Sequence, residues 1–261
     1  MQDLKQVLVW GLRQAGAYDA RVADPRQGFE HALPGRHPLE LWPACRSVIV
    51  YGVAMSTRAM HTYVGPLSPS DDPDTMRFAH SERFGLVRLG YLFLSGIAMW
   101  GGALLEQHGY CMSATFSGAP GMLRPRNPVQ CKLCAYEAGL GVYGRSGLIL
   151  HPELGSRMAI GVILTDAPLL PDPKLEGFDP CHDCQTCIEA CPGQAYTTGL
   201  PYPQSWSREK CMAAKERLLD QGGLHCDACF VACPRSRIPE EDLLLIEERL
   251  SAWESARRSG G

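Results

Sequence analysis

The run Cys181-His-Asp-Cys184-Gln-Thr-Cys187-Ile-Glu-Ala-Cys191-Pro192 constrains this chain more than any other stretch. Its C-x2-C-x2-C-x3-C-P spacing wraps three thiolates around three irons of one cubane and carries the fourth cysteine away toward a neighbouring cluster. Zinc sites use paired CxxC units without this x2-x2-x3-Pro progression, so zinc is the weaker reading. A second unit, Cys226-x2-Cys229-x3-Cys233-Pro234, repeats the end of the first.

A crossing pattern assigns the ligands. Cys181, Cys184 and Cys187 bind one [4Fe-4S] cluster and Cys233 completes it, while Cys191 joins Cys226 and Cys229 in the other. The second unit has Gly223 where the first has Cys181, which leaves Cys211 as the eighth ligand. Small neighbours, Ala190 and Ala232, allow close approach to inorganic sulfide. His182 and His225 flank the cysteines and read as solvated neighbours. The reading is an electron-transfer protein with eight cluster cysteines.

The other four cysteines fit no cluster pattern. Cys131-x2-Cys134 reads as two small hydrophobes rather than a redox pair, and Cys45 and Cys111 read as core. Disulfides are not expected, because Met1–Val9 lacks the features of a secretory signal and a cytoplasmic location keeps thiols reduced. The 25 Lys+Arg against 28 Asp+Glu leave a charge of -3 and no footprint of a dedicated nucleic-acid binder. Leu89 to Leu105 carries no charge, but it sits at the short end of the spanning range and reads as a buried core helix, so no membrane partner is expected.

Ahead of the cysteines the pattern is mixed. Leu4, Val7, Leu8, Leu12 and Ala15 recur at helical spacing before Gly16. Ser47 to Val53 and Met158 to Thr165 read as buried strands, and residues 56–80 and 117–128 as Gly/Pro-rich loops. A helix over Val129–Ala138 precedes Gly139-Leu-Gly141-Val-Tyr143-Gly144-Arg145-Ser146-Gly147, whose glycines let backbone N–H groups approach a ligand or simply make a tight connection. The Pro-rich segment Ala167–Pro180 marks a domain boundary, and Glu240–Arg258 reads as an amphipathic helix.

The order of parts resembles the epoxyqueuosine reductase family and its relatives among corrinoid-dependent iron–sulfur reductases. The resemblance rests on Leu41-Trp-Pro-Ala-Cys45-Arg-Ser-Val-Ile49, on Ala138–Ser146 with Gly155-Ser156 and Thr165-Asp166, and on the split cysteine motifs ending at Cys233-Pro234. It implies an α+β protein: a nitroreductase-related α/β corrinoid-binding domain over 1–170, a ferredoxin-like domain with two [4Fe-4S] clusters over 171–238, and a C-terminal helix over 239–261. It further implies bound cobalamin along Gly139, Gly141, Tyr143, Gly144, Arg145 and Ser146, and an electron donor such as a ferredoxin or flavodoxin. Two departures bear on the substrate. The stretch Leu123-Arg-Pro-Arg-Asn-Pro128 lacks the carboxylate that the family places there as proton donor, and the chain stops soon after its clusters. Both count against tRNA epoxyqueuosine as substrate, and leave open reduction of another compound or a corrinoid-handling role in which cobalamin is bound, reduced or delivered.

Overall fold

The computed structural model describes residues 2–55, 90, 92–116, 128–200, 203–220, 226 and 228–236. The residues 56–80, 117–127, Gly223, His225 and 240–258, on which several of the readings above fall, lie outside the described residues.

Two β-branched runs make the centre. β2 (Ser47–Ala54) and β6 (Met158–Thr165) pair antiparallel along their whole length, Ser47 opposite Thr165 and Ala54 opposite Met158. β1 (Asp19–Ala23) flanks β2 and β3 (Met112–Phe116) flanks β6, giving a four-stranded sheet in the order β1-β2-β6-β3. Every residue of β6 is buried, so both faces of the sheet must be covered.

Each face has its own core. Val48, Val50, Ile160, Val162 and Leu164 pack with Leu133, Cys134 and Ala135 of a helix over Cys131–Glu137. The opposite face brings Ile49, Tyr51 and Ile163 against Leu8 and Leu12 of α1 (Gln2–Gln14) and against Leu94, Ile97 and Leu105 of a helix over 92–107. In chain order these helices are α1, α2 (Pro38–Leu41), α3 (92–107) and α4 (Cys131–Glu137). Tyr51 stands opposite Gly161, where any Cβ would collide with its ring, and its hydroxyl donates to the Leu94 carbonyl at 2.6 Å. One buried residue thus ties β2, β6 and α3 together.

Gly16 stops α1 as expected. Its φ of +111° is left-handed, and Gly16 N and Ala17 N donate to the carbonyls of Arg13 and Leu12, closing the helix. Two sequence expectations need correction. The helix 92–107, which contains most of the uncharged run 89–105, is buried on one side only: Leu94, Ile97 and Leu105 face the core, whereas Leu92, Phe93, Met99 and Trp100 are exposed. Absence of charge is therefore not burial. No helix among the described residues is long and apolar enough to cross a membrane. Cys111 is exposed rather than core, because it precedes edge strand β3 and is held only through its backbone, by Asp166 and Thr165.

The segment after β6 straps the sheet. Asp172 accepts from Lys5 Nζ at 2.7 Å and from Val22 N at 2.8 Å, and its own N–H donates to Val22 O, so the outer edge of β1 is capped rather than open. Beside it, the buried Asp19 receives Arg13 at 2.5 Å and Arg21 at 3.1 Å, with His151 Nε2 at 3.7 Å. The His151 Nδ1 accepts from the backbone of Glu153 and Leu154, which leaves the ring proton on Nε2, facing Asp19.

Candidate cluster site and the glycine-rich hairpin

The glycine-rich stretch folds into a small hairpin. β4 (Val142–Tyr143) pairs antiparallel with β5 (Ile149–Leu150), and residues 144–148 form the tip, with Gly144 N donating to Leu148 O and Gly147 N to Gly144 O. Gly139 ends α4: at φ +71° it donates to Tyr136 O while Leu140 N donates to Ala135 O, the same closure seen after α1. A Cβ there would also strike the Pro173 carbonyl, and one at Gly141 would come within 2.6 Å of Leu150 O. Internal packing thus accounts for both glycines. Tyr143 packs its ring on Tyr136, with centroids 5.5 Å apart.

The hairpin tip reaches the cysteine module. A Cβ on Gly144 would crowd the Leu150 side chain at 2.9 Å and lie at ordinary contact distance, 3.5 Å, from Cys181 Sγ, so the tip runs beside the first cysteine. Arg145 donates through Nε to Cys181 O and through Nη2 to His182 O, both at 3.1 Å, and so clamps the first cysteine loop. The Ser146 carbonyl accepts from the Tyr196 hydroxyl at 3.2 Å, and Lys132 Nζ donates to Gly147 O at 2.7 Å.

Cys181, Cys184, Cys187 and Cys233 line one recess beneath this tip, together with Arg145, Leu150 and Arg235. These are the four thiols that the crossing pattern assigns to one cluster. Cys187 rides on α5 (Thr186–Glu189), which packs against α7 (Ala228–Val231), and the chain leaving α7 delivers Cys233. Burial pushes the Cys187 thiol up to about 12, neighbouring thiols adding to the rise, and burial also raises Cys181. Cys184 moves the other way, chiefly through its contact with the Thr186 hydroxyl at 3.4 Å. A buried thiol of this kind keeps its proton until a metal displaces it.

The second group is built by a turn and a helix. After Cys191 the chain turns through Gly193 and Gln194, the latter at a left-handed φ of 45°. The bridge between Tyr196 and Trp206 then returns it into α6 (Arg208–Asp220), which carries Cys211. A Cβ on Gly193 would lie 2.9 Å from Lys210 O and 2.8 Å from the Ala214 Cβ, so the turn after Cys191 rests on the part of α6 that bears Cys211. Burial, and after it the neighbouring Cys229 and Cys191 thiols, push the Tyr196 phenol above its ordinary range. Cys211, Cys226 and Cys229 are all half-buried.

The residues fit iron–sulfur clusters on two grounds. Among the described residues beyond 170, the buried apolar side chains are Cys187, Ala195, Ala214 and Cys233, with no leucine, isoleucine or valine. Where so few apolar side chains are buried, an inorganic centre would supply the cohesion that a hydrophobic core supplies elsewhere. Moreover, the four thiols of the first recess stand around a hollow whose other described lining residues include no His, Asp or Glu. Thiols ranged around a hollow suit a multi-iron body better than one zinc ion. Cys131 and Cys134, by contrast, are buried in the sheet core with Cys45; burial drives the Cys134 thiol well above its ordinary value and that of Cys45 to about 11. They behave as small hydrophobes.

No family model matches the chain. The epoxyqueuosine reductase of Synechococcus sp. (strain CC9605) is 46% identical over 150 residues, which is 49% of this chain and 46% of that relative. That of Staphylococcus aureus is 32% identical over 129 residues, 44% of this chain and 32% of the relative. The tetrachloroethene reductive dehalogenase of Sulfurospirillum multivorans is 25% identical over 205 residues, 73% of this chain and 35% of that protein. These matches span between about a third and under half of the relatives' lengths. Among solved structures, a selenomethionine-labelled epoxyqueuosine reductase superposes with a TM-score of 0.59 at 18% identity, over 90% of this chain and 66% of that one. A catabolic reductive dehalogenase gives 0.62 at 22% identity, over 87% of this chain and 31% of that one. The fold is the mixed α+β fold of these proteins.

Proposed function

We propose that this chain, which belongs to the epoxyqueuosine reductase and reductive dehalogenase-related family, is an oxidoreductase that passes single electrons from two [4Fe-4S] clusters to a bound cobalamin. The observation that carries the reading is the recess lined by Cys181, Cys184, Cys187 and Cys233 directly under the glycine-rich hairpin. One cluster is held by those four cysteines, and the other by Cys191, Cys211, Cys226 and Cys229. The ferredoxin-like module spans 171–238 and the corrinoid-binding domain 1–170.

The corrinoid supplies a strongly reducing metal centre when bound, and that assignment rests on the relatives, one solved dehalogenase of this fold being described for B12-dependent dehalogenation. The chain's own residues supply the frame. Arg145 fixes the first cysteine loop against the hairpin, and Gly144 places the hairpin tip beside Cys181 while leaving room for the Leu150 side chain. Arg145 and Arg235 also place positive charge at the rim of the recess, which offsets the negative charge of a thiolate-bound cluster. Gly139, Gly141, Tyr143 and Ser146 shape the hairpin, whose open backbone is the surface offered to the corrinoid.

The substrate we assign is a small reducible compound, with a ferredoxin or flavodoxin as donor. Anaerobic reconstitution with iron, sulfide and hydroxocobalamin tests the whole reading. About eight irons and one corrinoid per chain, with turnover of a reducible substrate by a reduced donor, are expected. Eight irons with tight corrinoid binding, but release to an acceptor protein instead of turnover, would replace the enzyme with a corrinoid-handling protein. A zinc-only, colourless protein would sink both.

A further inference from the structure

We propose that an open groove between α1 and the outer edge of β1 is a binding site for a small aromatic oxyanion, a flat ring carrying a carboxylate or a phosphate. The groove shares no lining residue with the cysteine recess, so the inference stands apart from the cluster reading. It starts from one helix face.

Gln6, Trp10 and Arg13 recur on α1 at the spacing that puts side chains in one row, and this row lines the groove from the helix side. Asp19, Ala20 and Arg21 line it from β1, and the ion pair of Lys5 with Asp172 completes the lining. The space is about 430 Å³, within the range of roughly 300–1,000 Å³ that small-molecule sites occupy.

The carboxylates in this groove are spent. Asp19 accepts from Arg13 and from Ala20 N through Oδ1 and from Arg21 through Oδ2, with His151 Nε2 3.7 Å away. Asp172 accepts from Lys5 through one oxygen and from Val22 N through the other. The cations are not spent. A guanidinium has five N–H donors and an ammonium three, yet among the described residues Arg13, Arg21 and Lys5 each bond to one carboxylate only. Arg13 and Arg21 keep 52% and 36% of their side-chain surface open to solvent. Three cations against two occupied carboxylates leave positive charge and surplus donors, so a ligand that fits must bring acceptors.

Trp10 decides the rest of the ligand. Its ring is 63% exposed and shares the groove with the half-buried Val9. Alone it would be an ordinary surface side chain. In the same groove as two guanidinium groups it is a stacking platform, on which a flat ring can lie while its oxyanion meets Arg13 or Arg21. An aliphatic acid would leave the indole in water, and a neutral ring would leave the guanidinium donors unanswered. An aromatic oxyanion uses both.

The test uses the full chain, kept anaerobic and titrated in a calorimeter with 2-naphthoate, with 2-naphthyl phosphate and with the uncharged 2-naphthalenemethanol. One-to-one binding of at least one anion with a Kd below about 1 mM is expected, the alcohol binding about tenfold more weakly or not at all. The tighter of the two anions tells carboxylate from phosphate. Trp10 and Gln6 are exposed, so both can be changed without entering the core. Trp10→Ala removes the platform and Gln6→Glu sets a carboxylate in the groove; each should weaken the anion about tenfold while the melting temperature holds. Gln6→Lys should tighten it. No saturable binding of either anion, equal binding of the alcohol, or anion binding that ignores both Trp10→Ala and Gln6→Glu would overturn the proposal. The titrations need neither iron nor turnover, so their failure leaves the redox reading standing, and a protein without clusters leaves this site standing.

Discussion

The sheet and the cysteine module use the same amino acid for opposite purposes. In the sheet core Cys131 and Cys134 lie among valines, leucines and alanines, where a thiol is one more apolar group. In the module Cys184 and Cys187 have the same x2 spacing but line a recess with Arg145 and Arg235, where Leu150 of the hairpin is the buried aliphatic neighbour. The spacing of a CxxC pair says little about its use. What decides is whether the surroundings could form a core without it.

Removing the metal should break this comparison most sharply. Chelation of the reconstituted protein is expected to open residues 181–236 to protease while the sheet residues 47–54 and 158–165 stay protected, as followed by mass spectrometry of the fragments. Equal protection of both regions would mean that the module has a core of its own. Next in size are single cysteines. Cys181→Ala should remove about half of the iron, one cluster of two, whereas Cys134→Ala should leave iron content whole and lower stability by roughly 1 kcal/mol. Iron analysis together with denaturant melts checks both, and iron loss from Cys134→Ala would erase the distinction between the two populations.

A smaller effect separates glycines that serve the fold from glycines that serve the site. Gly139→Ala puts a side chain at a left-handed φ and against Pro173 O, and should cost about 1–3 kcal/mol in a melt with iron content unchanged. Loss of a cluster instead would show that the end of α4 belongs to the site. The smallest effect concerns pH. Burial tends to raise the Asp19 carboxyl, but hydrogen bonds from His151, Arg13 and Arg21 together outweigh it and hold the group well below the usual range. A depressed folded pKa adds stability above the unfolded value, near 4, that is lost as pH falls through the folded one. Asp19→Asn should therefore flatten the acid side of the stability profile of the sheet, and an unaltered acid limb would remove Asp19 from that role.

The sequence made some of this legible and hid the rest for physical reasons. β2 and β6 announced themselves because central strands buried on both faces are β-branched runs. β1 and β3 did not, since edge strands can carry Asp19, Arg21 or Ser113 where one side meets solvent or an ion pair. That Cys181, Cys184 and Cys187 share one recess follows from their local spacing, whereas Cys233 comes to it from afar. For the glycine-rich run, glycine content does not tell a ligand from a neighbouring strand, and at Gly139 and Gly141 the neighbour is protein. Tyr196 gave no signal at all: it lies outside any motif, and it is the folded chain, bridged at Trp206, that brings its hydroxyl to the Ser146 carbonyl. A tyrosine within a few residues of a C-x3-C-P end is the nearest thing to a marker.

The pairing of Ala54 with Met158 has a consequence for how the molecule is made. The two central strands can meet only after a loop of about a hundred residues has closed, and such non-local pairing slows folding far more than it costs in final stability. During synthesis β2 must wait, apolar on both faces and with only β1 available beside it, until β6 has left the ribosome. The hairpin is made just ahead of β6 and the cysteines that it clamps come just behind, so the nascent chain reaches its cysteine-rich stretch just as its scaffold becomes able to close.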